Sequence, residues 1–357
     1  MSIRRVVITG RGVCSPLGCD WPSFAEAIRA GREAKLAPFP GTDILSYPLS
    51  DESVLGEPSR RAEEPVGALA TVCARQALSE ARIEIGGEPL DDVGLVMNTA
   101  YGTSGAFESY LERLRERPPR AARPAQFVDT LLSMPASRVG IALGLRGSTA
   151  VLGASSAFEL GFDWVRHGRS AVVVAGGAEF LSPKSLRYYD KLIERSGAPR
   201  AKLAQAAAFG ALEDAEHADR RGARPLAELL GSGSASDAQE VAVPWGCDPE
   251  GRAQAAAIRE AIDDASVAPA ELGAICLAAG DDASDQAELA ALRSVLGQSI
   301  ASMPLLRPKR YLGEALAASA GLALMATIVA LEGSGSIALV NSFEMGGGVS
   351  SLVVRVL

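Results

Sequence analysis

Between Gly147 and Glu179 the polar and apolar positions follow an order that predicts turn, helix, turn and buried strand. Ser148 or Thr149 offers a capping oxygen to a helix that carries apolar residues and ends near Gly168. The next stretch, Ala171 to Gly177, is a continuous apolar run closed by two glycines, which suits a strand covered on both faces. A tight turn into a buried helix is where many α/β enzymes hold a nucleophile, because the helix N-terminus stabilises an anion. Here Thr149 and Ala150 are followed by Val151, Leu152 and Gly153, and none of these can attack anything.

The same reading runs along the whole chain. Arg4 to Gly10 predicts a strand and turn, followed by a helix over Trp21–Gly31. Ala37 to Glu64 is rich in Pro, Gly and charge and reads as irregular surface chain. Pro65–Ile83 predicts a helix and Val93–Asn98 a strand. The turn Tyr101–Gly105 then opens a helix from Ala106 to Arg117. Its residues Phe107, Tyr110, Leu111 and Leu114 are spaced i, i+3, i+4, i+7 and share one face. Arg113 to Pro124 carries five arginines and three prolines; a solvated loop is the expectation, a phosphate-binding rim the alternative. Phe127 to Leu145 holds a helix that ends at Gly144. From Arg224–Gly231 a second strand-rich half begins, and strand, helix and strand recur to Leu357. Ala315–Leu331 is an apolar run of 17 residues rich in Ala and Gly. A membrane span needs about 20 strongly apolar residues, so a buried central helix is expected.

Composition narrows the function. The 357 residues suffice for one large domain or two fused halves. Hydrophobic residues make up 48% and aromatics only 5%, the mixture of tightly packed α/β layers. A net charge of −8 argues against a nucleic-acid partner. The five cysteines, Cys14, Cys19, Cys73, Cys247 and Cys276, lack metal-ligand spacing and sit in apolar segments. They read as reduced thiols of a cytoplasmic protein, and no metal or cofactor is expected. Met1–Gly10 shows no signal-peptide core. The two histidines, His167 and His217, lie in charged stretches and read as solvated.

Four segments in order carry a resemblance to the β-ketoacyl synthases, enzymes of the thiolase fold. Gly12-Val13-Cys14-Ser15-Pro16-Leu17-Gly18 is similar to that family's N-terminal segment, and Met134-Pro135-Ala136 to a segment bordering its dimer interface. Thr149-Ala150 and Ala175-Gly176-Gly177-Ala178-Glu179 match its nucleophile segment. The C-terminal Asn341-Ser342-Phe343-Glu344-Met345-Gly346-Gly347 resembles its glycine-rich gating loop. The resemblance implies a layered α-β-α-β-α sandwich of two similar halves, residues 1–222 and 223–357. The family's condensing chemistry uses a cysteine that carries the acyl chain and two histidines that act on the malonyl unit. An ungapped helix places Val151 at the cysteine; alignment on Ala154-Ser155-Ser156 places Gly153 there instead. Ala279 takes the first histidine position. In Lys309-Arg310-Tyr311-Leu312-Gly313-Glu314, lysine and glycine are retained and Glu314 takes the second. Met345 replaces a gating phenylalanine.

The expectation that follows is a non-catalytic partner, resembling the chain length factors of type II polyketide systems. Such a subunit pairs with an active ketosynthase, meets the acyl carrier protein through that complex, and walls the tunnel holding the growing chain, whether polyketide or polyene. Phe107, Tyr110 and Leu114 are the expected chain-stopping face, with ordinary core as the alternative. Pairing is expected through the strand after Arg169 and through Phe127–Leu145. Lys309 is expected to pair with Glu314. The alternatives are an enzyme with repurposed chemistry around Glu314, Asp281, Asp282 and Ser155, and a homodimeric scaffold.

Overall fold

The computed structural model describes residues 3–56, 65–116, 124–153, 156–197, 200–237, 248, 250–280 and 282–357. The first half begins with β1 (Val6–Cys14), whose nine residues are all buried, and α1 (Trp21–Arg29), capped by Asp20. Within Ala37–Glu64 the only regular pairing among the described residues is a small hairpin, β2 (Ala37–Pro38) and β3 (Leu45–Ser46). Then come α2 (Pro65–Glu80), β4 (Val93–Asn98), α3 (Ser104–Glu116), α4 (Pro124–Val128), α5 (Met134–Leu143) and β5 (Thr149–Leu152). After them run α6 (Ala157–Arg166), β6 (Val172–Glu179), α7 (Pro183–Ser196), β7 (Ala206–Asp214) and α8 (Ala215–Arg220). The second half holds β8 (Ala227–Ser236), α9 (Arg252–Ala265), β9 (Leu272–Cys276), α10 (Asp282–Leu296), β10 (Leu305–Leu306), α11 (Lys309–Leu312), α12 (Ser319–Leu331), β11 (Ile337–Phe343) and β12 (Gly348–Val356).

The strand order is β10-β9-β11-β12-β8-β1-β7-β6-β4-β5. Read outward from the centre, the two groups of five repeat each other. In each, the first strand pairs antiparallel with the last, the last antiparallel with the fourth, and the fourth parallel with the second, which pairs parallel with the third. The groups join only where Val6–Ile8 meets Ala227–Leu229. This internal repeat is invisible in the sequence, because the two halves share topology and not residues.

Helices fill three layers. α2 packs on β1, β6 and β7 outside the first group, and α9 on β8 and β12 outside the second. Between them α12 touches β6 and β7 of one half and β9 and β11 of the other, beside α6 on β4, β6 and β7. Eleven of the 13 residues of α12 are buried, as expected of a helix that is apolar all round. Such close layers need glycine where backbones touch: a Cβ at Gly177 would stand 2.0 Å from the Ala317 carbonyl oxygen.

Two expectations are corrected here. Thr149–Leu152 is a strand paired in parallel with Leu95–Asn98, not the first turn of a helix. The helix begins at Ala157, after the Ser156 cap whose Oγ accepts the Phe158 N–H. Thr149 and Val151 are β-branched and suit a pleated edge better than a helix start. The strand after Arg169, β6, lies between β4 and β7 and cannot pair with another chain. The open edge of the first half is β5. The stretch after Glu179 contains α7, held by a Ser182–Ser185 capping box.

Candidate functional site

Ala279, Lys309 and Glu314 come together on a cavity of about 560 Å³, with Gln254, Glu288 and Phe343 also on its wall. Lys309 lies in the short helix α11, and Glu314 follows the turn at Gly313. Gly313 has φ +82°, and a Cβ there would stand 2.3 Å from the Tyr47 ring. Lys309 Nζ meets Glu314 Oε2 at 2.6 Å. The other carboxylate oxygen of Glu314 accepts the Leu316 N–H and the Ser319 hydroxyl, both at 2.7 Å. Leu316 has φ +49°, a left-handed conformation for a residue with a side chain. The Glu314 carboxylate pins the N–H of that strained residue.

Beside this pair, Glu288 is buried and accepts the backbone N–H groups of Ala278 (3.0 Å) and Ala279 (2.9 Å) and the Asn341 amide (2.8 Å). Burial pushes its carboxyl upward against those donors. Glu344 stands next to Met345 in the C-terminal loop, where burial raises its carboxyl to about 7 although Lys309 pulls it down. Asn98 Nδ2 donates to Glu344 Oε1 at 3.4 Å. Glu159 of α6, which lines a separate cavity with Asp163 and Glu260, is raised to about 8 by burial, and the Glu344 charge adds to the rise. One oxygen each of Glu159 and Asn98 is buried without a hydrogen-bond partner. The carboxyl groups of Glu288, Glu314 and Glu344 thus surround Lys309, with Glu159 near Glu344.

The other sequence candidates lie elsewhere. Val151 is half-buried on β5 and packs into the cluster around α2 and α5 rather than on this cavity; Gly153 is exposed. Met345 is half-buried against the cluster of Leu316 and Phe343. Phe107, Tyr110 and Leu114 do not form core: Ala106 is the one buried residue of α3, and Phe107 is 48% exposed. The Tyr110 ring leans on Phe127 at 6.0 Å. With Phe127, Val128, Leu131, Leu132 and Ile141, all exposed, these side chains form an apolar face over α3, α4 and α5. His167 is exposed as expected, but His217 is half-buried and joins Arg221 on the buried Glu213 carboxylate. Asp281, Ser155, Cys247 and residues 117–123 lie outside the described residues, as does the Asp282 side chain. The four described cysteines are buried and unpaired with one another by any disulfide. Sequence reasoning missed Glu159; the signal was a carboxylate set between Phe158 and Leu160 in the apolar first turn of α6.

Comparison with known proteins decides the family. The β-ketoacyl synthase N-terminal domain matches residues 50–210, and the C-terminal domain matches residues 226–341. The chain belongs to the β-ketoacyl synthase family. It is 28% identical over 360 residues to nodulation protein E of Rhizobium sp. (strain N33), covering 92% of this chain and 86% of that one. It is 26% identical over 364 residues to 3-oxoacyl-[acyl-carrier-protein] synthase 2 of Vibrio cholerae, covering 93% and 87%. Among solved structures, a type II polyketide acyl carrier protein in complex with its ketosynthase superposes with TM-score 0.86, 21% identity and full coverage of both chains. The ishigamide ketosynthase/chain length factor superposes with TM-score 0.85, 23% identity and full coverage. The fold of this ketosynthase relative is therefore thiolase-like. Among the described residues no helix is long and apolar enough to cross a membrane.

Proposed function

We propose that this ketosynthase-family chain is a non-catalytic subunit of the chain length factor kind. It pairs with an active ketosynthase and shapes the tunnel that sets the length of a polyketide or polyene. The observation that carries the reading is the replacement at the reaction centre. Ala279 offers no base, and Glu314 is consumed by the Lys309 ion pair. Neither Val151 nor Gly153 supplies a thiol. The edge strand β5 and the apolar face beside it support pairing, since exposed apolar patches of this kind mark interfaces. The acyl carrier protein then reaches this chain through the complex. The two thiolase-like halves are assigned to residues 1–222 and 223–357.

The test is co-expression with a ketosynthase that has the cysteine and both histidines. A stable one-to-one complex, together with no condensation or malonyl decarboxylation by this chain alone, is the expected result. A second reading is favoured by one observation, the Glu344 carboxyl raised to about 7 beside Lys309. A group that titrates near neutrality suits acid–base work, so an enzyme with repurposed chemistry would use Glu344 and Glu314. Turnover of malonyl carrier protein that Glu344→Gln abolishes would establish that alternative.

A further inference from the structure

Three of the four described cysteines gather where β1 leaves the sheet. Cys14, the last residue of β1, and Cys73 of α2 are fully buried, and Cys19 is 8% exposed. The Cys73 thiol donates to the carbonyl oxygen of Ala207, the residue that pairs with Cys14 across the sheet. The Cys14 thiol lies within hydrogen-bonding reach of the thiols of both Cys19 and Cys73.

After Cys14 the chain turns back through Pro16 and Leu17. The turn is closed by a Ser15–Gly18 pair that exchanges both backbone hydrogen bonds, at 2.8 and 3.3 Å. Cys14 and Cys19 are the residues just outside that pair. In an antiparallel ladder the position next to a hydrogen-bonded pair brings Cα atoms to about 4.5 Å. A disulfide needs roughly 4.4–6.8 Å between them. The Cys14 thiol, 3.6 Å from the Cys19 carbonyl oxygen, agrees with so close an approach. A Cβ at Gly18 would stand 2.6 Å from the Phe24 nitrogen, so the turn is pressed onto α1 and its register is held. Cys73 reaches Cys14 from the helical layer, with no turn to set one against the other.

Cys19 is the member of the pair nearer the surface. Its Sγ lies 3.4 Å from the Oγ of Ser50, an exposed residue, and donates to the Asp51 carbonyl oxygen at 3.4 Å. The bond with Cys14 and burial push the Cys19 thiol well above the usual thiol range, so the resting pair keeps its protons and reacts slowly.

We propose that Cys14 and Cys19 form a reversible disulfide when a peroxide reaches them, a redox modification site at the exit of β1. The Cys19 sulfur attacks one peroxide oxygen as the O–O bond breaks. Its proton joins the leaving hydroxide as water, and a sulfenic acid remains. The Cys14 sulfur then displaces hydroxide from that sulfur, and the Cys14 proton completes a second water. Two thiols thus lose two electrons and two protons, and the peroxide is reduced to two waters. Oxidation also removes the donor that Cys19 offers Asp51, so the helical turn Glu52–Leu55 loses one tie to the hairpin. The site is separate from the Lys309–Glu314 cavity, and the proposal does not rest on the assembly reading.

The experiment treats the full chain with hydrogen peroxide, alkylates the free thiols with iodoacetamide and digests with trypsin. Cys14 and Cys19 share the fragment 12–29 while Cys73 lies on 62–75, so fragment masses name the partner directly. The expected result is fragment 12–29 unalkylated and two hydrogens lighter, reversed by dithiothreitol, with fragment 62–75 alkylated as before. Cys19→Ser should abolish the closed fragment, and Cys73→Ala should leave it at the parental level. Circular dichroism checks that both variants fold, and the parent's fragments decide the pairing without them. Fragments 12–29 and 62–75 joined to each other overturn the proposal. So do Cys19 oxidised to sulfinic acid beside a free Cys14, and both cysteines still alkylated after peroxide.

Discussion

Lys309 and Glu314 meet at 2.6 Å with both side chains almost out of water. Glu314, which the family resemblance sets at the second histidine position, is here held in an ion pair. Breaking such a pair is far worse than replacing it, because the orphaned charge stays buried. Lys309→Ala should therefore cost about 3–5 kcal/mol in urea denaturation. Glu314→Gln keeps an acceptor for the Leu316 N–H and the Ser319 hydroxyl but removes the charge that meets Lys309. Lys309→Met with Glu314→Gln should recover much of either single loss. Equal losses in the single and double variants would show that the pair contributes by packing alone.

Glu159 and Glu344 impose a pH dependence whose sign is fixed. Both carboxyls are raised by burial, to about 8 and about 7, above the 4.5 of an unperturbed glutamate. Between pH 4.5 and 8 the folded chain therefore holds protons that the unfolded chain has released. Stability is fully present below pH 4.5, falls as pH rises, and levels off above about 8. Glu159→Gln should flatten this fall and leave the variant about 1–3 kcal/mol more stable than the parent at pH 8.5. The check is denaturant unfolding at pH 5, 7 and 8.5. A parent whose stability rises over that range would refute the raised carboxyls.

Pairing is predicted through β5 and the face over α4 and α5. Ile141 is 82% exposed and Phe127 52%. Phe127→Glu and Ile141→Glu should leave the fold within about 0.5 kcal/mol of the parent yet release the partner ketosynthase. Val173→Asp should behave differently, since Val173 is fully buried on the interior strand β6. A charge there unfolds the first half and loses the complex only as a consequence. Size-exclusion chromatography with circular dichroism separates the two outcomes. Continued co-purification of the Ile141→Glu, Phe127→Glu double variant would move the interface elsewhere.

Chain length is predicted to follow the α3 face. Because Phe107 is half exposed and Tyr110 only partly covered, trimming either to Ala should cost about 1 kcal/mol or less, well under the loss at a core site. If the face closes the partner's tunnel, the same changes lengthen the product, since removed side-chain volume admits further two-carbon units. Mass spectrometry of carrier-bound products from the reconstituted pair reads this directly. An unchanged length distribution at full yield would remove these residues from the stopping role.

Much was legible in the chain itself. Buried strands such as Val172–Gly177 announce themselves as continuous apolar runs, and α12 by its length and lack of a polar face. Ala279 and Glu314 could be proposed at the histidine positions because short motifs around them resemble the family's. What no local pattern could supply was partnership. Thr149–Leu152 has residues that suit a strand, but whether it pairs was settled by β4 lying alongside, and with that pairing α6 starts only at Ala157. The edge position of β5 and the interior position of β6 are properties of strand order, which arises from contacts far apart in sequence. Glu159, Glu344 and Glu288 read as ordinary charges until burial, and for Glu344 and Glu288 a shared lysine, gave them their environment. Hydrophobic periodicity depends on neighbours three or four residues away, so the sequence alone determined most elements, Thr149–Leu152 excepted. Sheet order, burial and electrostatics depend on residues brought together by folding, and only the tertiary structure decided them.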